Sequence, residues 1–329
     1  MARSLRIQYP GAVYHVMCRG NERREIFRSD EDRMAFLRFL AKSLGIYSVK
    51  LHSYVLMTDH FHLLVETPLG NLAEFMRHFN ISYTGFFNRQ HQRVGHLYQG
   101  RYKSILVDRE AYLATVSRYI HLNPVRLKVL EGIPPKEKFE KLRQYHWSSL
   151  PGYFHLEKRQ SMVEYSLVLA DFGGANRRGM NSYRKQIAMD IAKELDIREW
   201  IFGQSILGGE EFVERVTREF LAGSQEREQP SARFIRQYRH QDLILSTIEA
   251  ETGKDLEALK KEKGDLRRLA MDLLYRQGGL KGPVIGGLFE VDYSVVSQER
   301  KRLRERMASD AELAALVRKF EGLLSTIKI

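Results

Sequence analysis

A chain of 329 residues with 53 Lys and Arg against 41 Asp and Glu carries a formal charge of +12, a balance that favours an anionic polymer as partner. No stretch approaches the roughly 20 apolar residues of a membrane span, and Met1 to Pro10 lacks the apolar core of a signal peptide, so a soluble cytoplasmic protein of about two domains is expected. The single cysteine, Cys18, excludes an internal disulfide and reads as a small buried hydrophobe in a reducing compartment. Nucleic acid leads over membrane as partner, because no basic amphipathic stretch carries an aromatic face.

Ala12 to Arg19 is rich in β-formers and runs into the turn signal Gly20-Asn21, which predicts a first strand. Ser29-Asp30 then caps a helix whose apolar face is Met34, Phe36, Leu37, Leu40 and Leu44, closing at Gly45. Val49 to Met57 and Phe61 to Glu66 read as a hairpin turning at Thr58-Asp59. Asn71 to about Arg89 is helical, Arg101 to Val107 is a strand with cations along it, and Asp108 to Leu122 is a third helix stopped by Pro124. The order β-α-β-β-α-β plus one helix predicts an α+β fold, a ferredoxin-like four-stranded antiparallel sheet with two helices on one face.

Within the second hairpin strand, His60 and His62 flank Phe61. Side chains alternate faces along a strand, so the two imidazoles share one side about 7 Å apart. Neutral imidazole is a common ligand for divalent metals, and the pair supplies two donors; alone, such a pair is more often two hydrogen-bonded surface groups. Tyr119 and Asn123 stand four apart, which places a phenol beside an amide oxygen if the third helix continues. A phenol beside a hard Lewis acid could attack a phosphodiester. The ordinary alternatives are a core tyrosine with a wet hydroxyl and a helix-terminal asparagine. Arg19, Arg101 and Lys103 are candidates for backbone phosphates or simply solvated strand-end cations, and Tyr83, Phe86, Phe87, Tyr98 and Tyr102 are rings for base stacking or core. Tyr112, seven residues before Tyr119, shares roughly its face.

Four segments taken together, His60-Phe61-His62-Leu63-Leu64, Gly95 to Ser104, Arg118 to Arg126 and Tyr145 to Ser149, resemble the single-tyrosine HUH transposases over roughly residues 5 to 156. More narrowly they resemble the REP-associated tyrosine transposase branch. The resemblance implies His60 and His62 as metal ligands, Asn123 as the third, and Tyr119 as nucleophile, with Mg²⁺ or Mn²⁺ as the ion. It implies cutting and rejoining of single-stranded DNA beside hairpins through a 5′-phosphotyrosine, by a monomer or a homodimer. Relatives often carry glutamine at the position of Asn123. The rival readings are a catalytically silent DNA-binding regulator that keeps the fold, and a metal-dependent hydrolase with no covalent step.

Past Tyr153 the pattern changes. Residues 157–230 read as a helical linker region ending in the polar stretch Gln225 to Ser231, and residues 231–329 as all-helical, which gives an N-terminal domain over 1–156. Leu243 to Thr252 and Asp265 to Gln277 are helices; Pro283 to Phe289, a turn at Glu290-Val291-Asp292 and Tyr293 to about Met307 predict a helix-turn-helix. The second helix presents Tyr293, Ser294, Ser297 and Gln298 toward base edges or phosphates, followed by Lys301 and Arg302 toward the backbone. Residues 235 to 310 resemble the DNA-binding domain of the bacterial replication initiator, which implies flanking duplex DNA as a second partner; the alternative is a solvated basic helix.

Overall fold

The computed structural model describes residues 7–203, 205–220 and 239–326, so the polar stretch Gln225 to Ser231 lies outside the described residues. The chain divides into two compact units, residues 6–201 with 205–208, and a second made chiefly of residues 209–329. Among the described residues no helix is long and apolar enough to cross a membrane.

The first unit follows the expected order: β1 (Ala12–Arg19), α1 (Asp30–Tyr47), β2 (Lys50–Leu56), β3 (His60–Thr67), α2 (Leu72–Gln90), β4 (Lys103–Val107) and α3 (Arg109–Leu122). The four strands lie side by side as β2-β3-β1-β4, all neighbours antiparallel. The sheet is longer than four strands, however. Two two-residue strands, β5 (Ile201–Phe202) and β6 (Ile206–Leu207), extend it beyond β4, with β6 parallel to β4. Segments so short carry no readable period.

Helix α1 starts on a capping box, in which Ser29 Oγ accepts from the Asp32 amide and Asp32 Oδ2 accepts from the Ser29 amide. It runs past Gly45 to Tyr47, and Ser48 takes the left-handed cap at φ 52°. Alternation along β3 then sorts the two faces. Phe61 meets Phe36 of α1 and Phe79 of α2 at 4.9 and 6.0 Å between ring centroids. On the other face lies α3, with Ser117 Oγ 2.5 Å from Ser53 Oγ of β2.

That placement of α3 is held by a buried polar chain. The Tyr183 hydroxyl lies 3.0 Å from Ser117 Oγ and 2.7 Å from His121 Nδ1, and His121 Nε2 lies 2.7 Å from Ser149 Oγ, which accepts from the Tyr54 amide at 3.0 Å. Arg118 Nε donates to Asp190 at 2.6 Å. Tyr183 and Asp190 sit on α7 (Arg177–Ala192), the last helix after α4 (Pro135–Arg143), α5 (Leu150–Phe154) and α6 (Ser166–Ala170). Residues 157–201, read from sequence as part of a linker region, thus belong to the first unit and clamp the outer side of α3.

In the second unit, α8 (Glu210–Phe220) is followed by α9 (Gln241–Thr252), α10 (Leu256–Lys261), α11 (Asp265–Arg276), α12 (Gly282–Leu288), α13 (Tyr293–Met307) and α14 (Ala311–Thr326). Ile248, Leu273, Ile285, Phe289, Val296 and Leu303 lie in its core. The turn between α12 and α13 is tight. A Cβ on Gly286 would come within 2.6 Å of the Val291 carbonyl, and Asp292 caps α13 by accepting from the Ser294 amide at 2.8 Å.

Because the Tyr183 hydroxyl serves two buried partners, Tyr183→Phe should destabilise the first unit by about 1–3 kcal/mol, the usual cost of stranding buried polar groups. Chemical denaturation of the full chain checks this; an unchanged midpoint would remove the clamp from the account.

Candidate active site on the α3 face of the sheet

Register places the site. Arg19 pairs with His60, Met17 with both His62 and Lys103, and His15 with both Leu64 and Ile105. Directly paired residues share a face, so Arg19, Lys103 and His15 lie on the side of the sheet that carries His60 and His62. Lys103 is exposed, as is Arg101 just before β4. Arg19 is half exposed and reaches Asp59 at 3.4 Å.

The two imidazoles are each held through Nδ1. His60 Nδ1 meets Asp59 Oδ1 at 2.5 Å, and His62 Nδ1 meets His15 Nε2 at 2.8 Å with the rings stacked 5.0 Å apart. Nε2 is the nitrogen each ring has left to offer. Burial keeps both rings uncharged. It lowers His60 below the ordinary value against the pull of the Asp59 carboxylate, and lowers His62 further, helped by the neighbouring His15 and His60. His15, almost wholly buried, is pushed down to about 3 by burial alone, and its Nδ1 has no hydrogen-bond partner.

Helix α3 brings the other pair. Asp108 caps its start by accepting from the Glu110 amide at 3.2 Å. Helical backbone continues through Asn123 at φ −52° and ψ −40°, so Tyr119 and Asn123 do share a face. The Asn123 amide nitrogen donates to the Tyr119 and Ile120 carbonyls at 3.0 and 3.1 Å, which leaves its oxygen as the free end. The buried Tyr119 ring stands edge-on to His15 at 5.9 Å. Burial raises its phenol above the ordinary value, and the Arg126 guanidinium, 4.5 Å from the ring centroid, opposes that rise. Tyr112 goes elsewhere, its ring 6.1 Å from that of Trp200.

Two imidazole nitrogens and an amide oxygen form a donor set suited to a hard or borderline divalent cation. Their second nitrogens are already tied down, as ligands require, and the residues fit such an ion. Among the described residues no group of three or more His, Cys, Asp and Glu is arranged to hold a metal; the set here depends on an amide.

His15, Arg126 and Asp196 escaped the sequence reading. His15 has the parity of the row along β1 that faces the same side as His60 and His62, a signal that becomes legible only once the register is known. Arg126 stands inside a quoted motif. Asp196, which pairs with Arg126 at 2.9 Å, had no signal. Of the proposed stacking rings, Tyr83, Phe87, Tyr98 and Tyr102 are buried in the core, and Phe86 is half-buried.

On α13 of the second unit, Tyr293, Ser294, Ser297, Gln298, Lys301 and Arg302 are all exposed. The basic run is thinner than its composition implies. Arg300 turns inward to Asp272 at 3.1 Å and over the Tyr275 ring, Arg302 pairs with Glu299, and Arg306 pairs with Asp265.

Residues 8–123, about a third of the chain, match the family model of the IS200-like transposases. A solved structure described as a REP-associated tyrosine transposase bound to a REP hairpin is similar, with a TM-score of 0.39 and 12% identity over 51% of this chain and 93% of that one. No curated protein matches.

Histidine ¹⁵N NMR of the metal-free protein should find His15 neutral at pH 5 and taking up a proton only near pH 3, with His62 also titrating below the ordinary histidine range. A His15 ring already cationic at pH 5, or a His62 ring titrating like a free imidazole, would contradict the packing described.

Proposed function

We propose that the first unit is a metal-dependent single-stranded DNA endonuclease and strand transferase, acting beside hairpins through a 5′-phosphotyrosine on Tyr119. The observation that carries this reading is the convergence, on one face of the sheet, of the Tyr119 ring with the His15–His62 stack, and of Asn123 on the same side of α3.

His60, His62 and Asn123 would hold Mg²⁺ or Mn²⁺. When bound, such an ion polarises the scissile phosphate and offsets the charge that develops on it. The protein's own groups supply the rest. Asp59 and His15 fix the orientation of the two imidazoles by occupying Nδ1. Burial keeps those rings as lone-pair donors at neutral pH. The polar chain behind α3 and the Asn123 amide fix the backbone from which Tyr119 projects, so attack starts from a positioned group.

The phenolic oxygen bonds to phosphorus as the bond from phosphorus to the 3′-oxygen breaks. The phenol loses its proton to solvent, and the departing oxygen gains one to become a 3′-hydroxyl. One phosphate ester replaces another, so no ATP is consumed and the 3′-hydroxyl can reverse the step or join a different end. Arg19, Arg101 and Lys103 would take flanking backbone phosphates. The second unit would dock on duplex DNA through α13, with Tyr293, Ser294, Ser297 and Gln298 at base edges or phosphates and Lys301 and Arg302 along the backbone.

Incubation with Mn²⁺ and a labelled library of single-stranded hairpins, followed by mapping of DNA-linked peptides by mass spectrometry, tests the chemistry. Tyr119→Phe should abolish the adduct with binding nearly unchanged, and Tyr112→Phe should cut like wild type; an adduct surviving the first change would sink the assignment. For duplex binding, Lys301→Ala should lower the slope of log affinity against log salt by about one. An unchanged slope would remove Lys301 from the interface.

A further inference from the structure

Arg126 sits where a nucleophile's partner would. Its guanidinium lies over the Tyr119 ring at 4.5 Å, and one end, Nη2, is held by Asp196 Oδ2 at 2.9 Å. The other end, Nη1, is buried and has no hydrogen-bond partner. Buried guanidinium donors are nearly always satisfied, because an unmet charged donor is costly. The acceptor the chain offers beside it is the Tyr119 phenol, on which the guanidinium acts as a hydrogen-bonding neighbour, and an anionic oxygen brought next to that phenol would meet the same donor.

Geometry narrows what that acceptor is. Arginine binds through a planar fork, with one edge able to rest on a carboxylate while another takes an anionic oxygen. The adjoining cavity of about 260 Å³ also has Glu131, Asp190 and Glu194 in its lining. Lys138 and Arg198 line it as well, so its charge is mixed, and the neighbour that locates the guanidinium is the Tyr119 ring. Asp196 is itself shared with Arg198, which fixes the carboxylate that fixes Arg126.

We infer that Arg126 is a catalytic residue that donates to a non-bridging oxygen of the scissile phosphate, and that Asp196 is the positioning residue that aims it. This rests on the reading of Tyr119 as nucleophile. It makes the segment after α7, which lies beyond the stretch matched by the family, part of the active site. It also separates two roles at one phosphate: the His60, His62 and Asn123 set would approach from the sheet, and the guanidinium from the helix end.

The test uses the full chain, Mn²⁺ and a hairpin oligonucleotide that the wild type cleaves, made with either a normal phosphate or a neutral methylphosphonate at the cleaved position. On phosphate, Arg126→Ala should slow adduct formation on Tyr119 by about 100-fold or more, the usual effect of losing one transition-state donor, with Mn²⁺ affinity unchanged. Arg126→Lys, which keeps the charge over the ring and guards against a folding defect, should remain slow, and Asp196→Asn should fall between. On methylphosphonate the difference between wild type and each variant should collapse toward one. Wild-type rates in Arg126→Ala, or the same deficit on both substrates, would overturn the assignment while leaving Tyr119 in place. A wild-type adduct on another residue, or none on any hairpin, would overturn the Tyr119 reading and this inference with it.

Discussion

A single buried chain of hydrogen bonds decides what this protein's first unit presents. Ser53, Ser117, Tyr183, His121 and Ser149 tie α3 to the sheet on one side and to α5 and α7 on the other. Together they fix the helix that carries Tyr119. Buried polar chains of this kind specify one arrangement, because any slip of the helix strands several donors at once. If α3 slid by a turn, or about 5.4 Å, Tyr119 would leave the His15 ring.

The same logic explains the company of histidines. His121 is a structural residue, pushed down to about 3 by burial and bonded at both nitrogens. His62 is buried too, but only one of its nitrogens is bonded to the protein. Burial thus makes both rings neutral, and the difference between a strut and a candidate ligand lies in which nitrogen is already used. Charge divides in a comparable way in the second unit, where Arg300 stabilises the interior and Lys301 faces solvent.

Much of the first unit was legible because its periods are clean. The alternation around Phe61 separates a helix-facing side from a histidine side, and the caps at Ser29 and Asp108 mark helix starts with polar residues that have an evident job. The pairing of Tyr119 with Asn123 followed from helical spacing alone, once the helix continued through Asn123. What stayed hidden depends on long-range geometry. His15 joins His62 across two strands, 47 residues apart, and local spacing holds no trace of that register. Asp196 meets Arg126 from a segment with no motif, and β5 and β6 are too short to show alternation. The segment from 157 to 201 looked like a linker because its apolar residues pack on α3 and α5, elements remote in sequence.

Binding of Mn²⁺ to the wild type, His60→Ala and Asn123→Ala, followed by calorimetry, tests most directly whether strand and helix build one centre. One ion should bind per first unit, lost in His60→Ala and bound at least about tenfold more weakly in Asn123→Ala. Unchanged affinity in Asn123→Ala, with His60→Ala impaired, would mean that the helix end and the imidazole row do not share an ion, and the central claim would fail.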